Sequence, residues 1–150
     1  MVGEDPEVKF ADVMAGFIGR PFRPGGTGPD GYDCIGLCWA VLRALGRDVP
    51  AEYAGWSVER GDYAEWAAAD RAAADALVRE MMENVGDPVA PLYELPGDLL
   101  LVDFAGMGET LAVYCGNGVA VTSTPKTGVR AFNLSRKMRI VAARRFHGLR

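Results

Sequence analysis

A single histidine, His147, occurs in the 150 residues, and there are only three cysteines. The first scarcity limits acid–base chemistry at neutral pH, because imidazole is the side chain whose ordinary pKa lies there. The second, with an odd count at low density, argues against a disulfide framework and for reduced thiols. Cys34, Cys38, Cys115 and His147 show none of the short paired spacings of structural zinc sites, so no metal and no cofactor are expected. No apolar run approaches the ~20 residues of a membrane helix. The start, Met1-Val2-Gly3-Glu4-Asp5-Pro6, has neither the basic nor the apolar part of a secretory signal, which predicts cytoplasmic synthesis. Carboxylates are missing from the last 25 residues altogether.

That last absence exposes a charge asymmetry inside the formal net charge of −4. Lys126, Arg130, Arg136, Lys137, Arg139, Arg144, Arg145 and Arg150 are eight basic residues with no acid among them. The rest of the chain is left with 8 basic against 20 acidic side chains, a formal −12. Such a split steers docking onto a charged partner, although charge runs commonly mark a solvated face. Only Phe132 and Phe146 interleave the basic tail as aromatics, without a nucleic-acid reading motif, so no nucleic acid is expected. Arg144 and Arg145, flanking the end of the last predicted strand, are the candidate partner-binding pair.

A hydrophobic fraction of 49% with 24% charge suits one globular domain over residues 1–150. Apolar residues at helical spacing predict a first helix over 8–19. Arg23-Pro24-Gly25-Gly26-Thr27-Gly28-Pro29-Asp30-Gly31 reads as an irregular loop, and it lacks the G-K-[ST] signature of a phosphate cradle. A core helix follows over 34–45, capped by Asp33 or Asp30 and stopped at Gly46. A long Ala-rich helix is predicted over 63–85. Strands are predicted over 99–104, 110–115, 119–123, 128–132 and 138–146, with Asn117-Gly118 as a tight turn between two of them. Helices first and antiparallel strands afterwards is the order of an α+β fold.

Cys34 lies at the start of the core helix, where unpaired backbone N–H groups and the positive dipole end favour thiolate. It reads either as a reactive nucleophile or as a remnant thiol. Peptide hydrolysis by a thiolate also needs a base held by a third polar group. His147 is the only imidazole available for that role. Asp98 is expected to fix the turn after Gly97, with Asp103 and Glu109 exposed.

The stretch GRPFRPGGTGPDGYDCIGLCWAVLRALG, together with Pro96-Gly97-Asp98-Leu99 and Leu111-Ala112-Val113-Tyr114-Cys115-Gly116-Asn117-Gly118, resembles the NlpC-type cell-wall cysteine peptidases. The resemblance implies a papain-like fold: N-terminal helices packed on an antiparallel sheet of about five strands. It makes Cys34 the nucleophile position and puts Thr110 where the family has its base histidine, Thr122 at the orienting position and Phe22 at a tyrosine. Threonine does not bind a proton near neutral pH, so Cys34, Thr110 and Thr122 are not a working triad.

Residues 8–147 further resemble the phage-tail and gene-transfer-agent branch. This implies a catalytically deficient structural or docking component of a phage or prophage tail tip, assembled into a tail particle beside neighbouring tail proteins. Two alternatives stand: an active murein-cleaving cysteine endopeptidase with an unusual base, and a module that binds peptidoglycan without hydrolysis.

Overall fold

A computed structural model describes residues 6–23, 26–49, 86–104, 108–135 and 138–147, together with 72, 76, 79, 80, 82 and 83. Helices α1 (Pro6–Phe17) and α2 (Cys34–Ala44) flank a ribbon made of β1 (Thr27–Gly28) and β2 (Gly31–Tyr32). The remaining strands are β3 (Asp87–Pro88), β4 (Leu99–Phe104), β5 (Gly108–Gly116), β6 (Val119–Thr124), β7 (Gly128–Asn133) and β8 (Met138–Arg145). They form one antiparallel sheet in the order β3-β8-β4-β5-β6-β7.

The five strands expected from sequence are β4 to β8, and the sheet has a sixth. β3 is two residues long, too short for a periodic signal, and is recruited by pairing Asp87 with Arg145 and Pro88 with Arg144. The stretch read as an irregular loop also holds a ribbon, with Thr27 opposite Tyr32 and Gly28 opposite Gly31, turned at Pro29-Asp30. Most of the expected helix over 63–85 lies outside the described residues; 72, 76, 79, 80, 82 and 83 are helical.

The sheet is apolar on both faces. On its inner face Leu99, Leu101, Leu111, Val113, Val121 and Val129 pack with Ile35, Leu37, Cys38, Val41 and Leu42 of α2 and with Met14 of α1. Leu100, Val102, Ala112 and Ala120 alternate with these and form an outer cluster with Met138 and Ala143. Burial on both sides explains why Leu99, Leu100, Leu101 and Val102 read as a continuous apolar run rather than an alternating one. The β5–β6 hairpin turns at Asn117 (φ 53°) and Gly118 (φ 73°), the left-handed pair that matches strand twist in a two-residue loop.

Two tethers position α2. Asp33 caps its start, its Oδ1 accepting the Gly36 N–H at 2.6 Å. Gly26 approaches so closely that a Cβ on Gly36 would strike the Gly26 carbonyl, so only glycine fits there. At the other end the Arg47 guanidinium donates to Phe146 O at 2.8 Å, and the Asp48 N–H donates to His147 O at 2.9 Å.

Candidate functional site

Cys34 occupies the first position of α2, as its motif requires, but its sulfur is part of the core: the residue is only 3% exposed. Three donors surround the sulfur, the Thr110 hydroxyl and the backbone N–H groups of Leu111 and Ile35. Each of these favours thiolate. Burial and the neighbouring Asp33 carboxylate act the other way and win, pushing the thiol up to about 11. The helix-start argument for a reactive thiolate is therefore reversed, first because the sulfur is desolvated and second because the cap that satisfies the helix is itself an anion. Cys38, one turn on, is raised further by burial and by the charges of Cys34 and Asp33. Cys115 is raised to about 11 by burial alone.

The four positions aligned with catalytic roles are not equally close. Thr110 meets the sulfur directly. Thr122 is fully buried, and its hydroxyl donates to Leu111 O at 2.7 Å. It therefore steadies the strand residue whose N–H reaches Cys34. Phe22 bridges to Tyr32, two residues before Cys34, and offers no hydroxyl. Next to Thr122, Ser123 donates to Tyr32 O at 2.7 Å, holding the ribbon against β6.

His147 is not a base for Cys34. Its backbone is tied to Asp48, beyond the far end of α2, and eleven helical residues at 1.5 Å each separate the two ends by roughly 16 Å. Its ring instead meets Asp87 Oδ2 at 2.5 Å in an exposed pair. Glu109, expected to be exposed, is buried and accepts from the Arg79 guanidinium. Asp103 is partly exposed and pairs with Arg139 at 2.9 Å. Among the described residues no cluster of metal-ligating side chains occurs, and none of the helices is long and apolar enough to cross a membrane.

Arg144 and Arg145 differ in what they have available. Arg145 forms a two-pronged pair with Asp98, Nε to Oδ1 and Nη2 to Oδ2 at 2.9 Å each, and Nη2 also donates to Tyr93 O at 3.1 Å. Asp98 is 2% exposed and also takes the Leu95 N–H at 2.8 Å. Asp98 thus fixes its turn, and Arg145 is committed to holding the 93–98 segment on β8. Among the described residues Arg144 makes one long contact, 3.4 Å to Glu83 O, and is the member of the pair with capacity for a partner.

A helix-borne cysteine packed against the first strand of a hairpin, on an antiparallel sheet, is the papain-like arrangement of NlpC/P60 domains, and solved structures of that class are similar to this chain. NlpC2 from Trichomonas vaginalis aligns with a TM-score of 0.61 at 20% identity over 97% of this chain and 48% of its own, so the chain spans about half of that protein. The NlpC/p60 domain of the peptidoglycan hydrolase SagA aligns with a TM-score of 0.59 at 22% identity, over 93% of this chain and 97% of its own. RipD from Mycobacterium tuberculosis, described as a non-catalytic NlpC/p60 domain protein adapted to peptidoglycan-binding function, aligns with a TM-score of 0.56 at 17% identity, over 95% of this chain and 98% of its own. The chain belongs to the family described as Domain of unknown function (DUF6950), which matches residues 4–143. No curated protein matches it.

Proposed function

We propose that this chain is a catalytically deficient NlpC/P60-fold domain that acts by docking rather than by hydrolysis. The observation that carries the reading is the surrounding of Cys34: a residue only 3% exposed, its sulfur facing a threonine and its thiol pushed up to about 11. Exposure that low leaves Cys34 poorly open to a scissile carbonyl. No imidazole is near enough to take its proton or to protonate a leaving amine. The resemblance of residues 8–147 to the phage-tail branch makes a neighbouring tail protein the partner to test first, with assembly into a phage or prophage tail tip as the expected location.

A second reading, peptidoglycan binding without hydrolysis, is favoured by the similarity to RipD, a non-catalytic domain of the same fold described as adapted to that function. Incubation of the purified chain with soluble muropeptides separates both from an active peptidase. No cleavage is expected, and turnover abolished by Cys34→Ala would overturn the proposal. Sedimentation with insoluble murein then divides the two readings, since retention supports peptidoglycan binding. Recovery of the chain in purified tail particles supports tail docking.

A further inference from the structure

The far edge of the sheet carries an unfinished strand pairing. β8 runs for eight residues, yet its outer neighbour β3 pairs only with Arg144 and Arg145, followed by one bond from Val89 N–H to Ala143 O. Pro88 has no N–H to continue the ladder, and the chain then turns away, with the Tyr93 N–H donating to Ala90 O. Met138 is already paired, its N–H donating to Ser135 O at 3.1 Å and its O accepting the Ser135 N–H at 3.0 Å, and the pairing with β4 skips Val141 at a bulge, so among the described residues the outer edge of β8 with no strand beside it runs from Arg139 to Ala142. Long open edges are ordinarily shortened, charged or covered, because they template pairing with another chain.

A groove of about 620 Å³ lies along this edge, lined by Val89, Leu92, Leu134, Met138, Ile140 and Arg144 among others. Apolar side chains are exposed beside it: Leu92 is 94%, Tyr93 73% and Val141 45% exposed. Arg139 and Arg144 border the groove, and Glu94 is the one carboxylate in its lining. Arg139 is only loosely held by Asp103, in a pair exposed on both sides. A strand of open backbone, an apolar trough and two arginines make a combined requirement for three things in one ligand: extended conformation, aliphatic side chains on alternate positions, and carboxylates between them.

We propose that the Arg139–Ala142 edge of β8 takes an extended acidic segment of a partner protein as an added strand, in line with β3. This rests on the docking reading above and names its surface, on the side of the sheet away from Cys34. The backbone edge supplies attraction independent of sequence, the groove selects aliphatic side chains, and Arg139 and Arg144 select against basic segments.

The probe is a fluorescein-labelled peptide, Glu-Val-Glu-Ile-Glu-Val, with a counterpart carrying Lys for each Glu. Anisotropy should show saturable binding of the acidic peptide, weakened by salt and weakened roughly tenfold or more by Arg144→Glu. Amide exchange should slow on residues 139–142. Val141→Asp, at an exposed position that spares the core, should abolish binding while circular dichroism stays unchanged. Absence of binding, equal binding of the lysine peptide, or protection confined to other residues would each overturn the proposal. A dimer in sedimentation that Val141→Asp splits would overturn it too, since the edge would then belong to a second copy. Muropeptide turnover would instead sink the non-hydrolytic reading, whereas no turnover together with no peptide binding would sink the edge proposal alone.

Discussion

The two faces of the sheet have exchanged the roles that a peptidase fold would give them. The inner face holds the nucleophile position, yet Cys34 is packed there as a core residue beside Ile35 and Leu37. The outer side has no chemistry of its own, and it is where the molecule leaves a groove, an open strand edge and uncovered apolar side chains. Protein folds tolerate this because the forces that place α2 on the sheet do not depend on a reactive thiol. The Asp33 cap, the Gly26–Gly36 approach and the Arg47 tether would hold the helix equally well if residue 34 were inert. A scaffold of this kind keeps its shape whatever the chemistry of residue 34.

The sharpest way to break the comparison is to measure the inner thiol. Moving a thiol from 9.0 to about 11 lowers its thiolate fraction at neutral pH about 100-fold, so alkylation of Cys34 by iodoacetamide should be at least that much slower than in the unfolded chain. Its rate should climb about tenfold per pH unit until near 11, as expected for thiolate as the attacking form. The sign for stability agrees: a raised pKa favours the folded state fully below pH 9 and the gain is lost as pH rises toward 11. Rapid labelling at pH 7, followed by mass spectrometry of the Cys34 peptide, would mean an open inner site.

On the outer side, Arg145→Ala tests which arginine is structural. Removing it strands the buried Asp98 carboxylate, and a fully buried pair would cost about 3–5 kcal/mol. Arg145 is about a third exposed, so we expect about 2 kcal/mol in urea unfolding, together with faster amide exchange over 93–98. Unchanged stability would return Arg145 to the docking surface. The smallest effect expected is for Thr122→Val, which removes the bond to Leu111 O and should cost about 1 kcal/mol. If Thr122 had an orienting role rather than a structural one, the substitution would leave urea stability unchanged.

Much of the fold was legible because it is local. The expected strands over 99–104, 119–123 and 128–132 match β4, β6 and β7 to within a residue, since a short apolar run, Asn117-Gly118 and Gly128 act between near neighbours. Gly46 does end the region of α2, with φ 76°, and Asp33 rather than Asp30 is its cap. What stayed hidden is non-local. β3 exists only because β8 lies beside it. Glu109 is buried because Arg79, thirty positions earlier, comes to meet it. The Cys34 site was half legible: its place at a helix start follows from the motif, but its burial and the opposing charge of Asp33 follow from how the ribbon folds over the helix.

The bond from Arg47 to Phe146 O joins residues 99 positions apart, which sets an order of assembly. Closing a loop of that length costs about 4 kcal/mol in chain entropy before the contact returns anything. β4 through β7 meet their partners through short hairpins, whereas β8 must travel back past them to pair with β4. Contacts of low sequence separation form early and those of high separation late. The outer edge of β8 therefore comes into being only when the last strand is in place and its end is tied to α2. A partner that reads that edge would be reading completion of the fold, and half-folded chains would present nothing for it to hold.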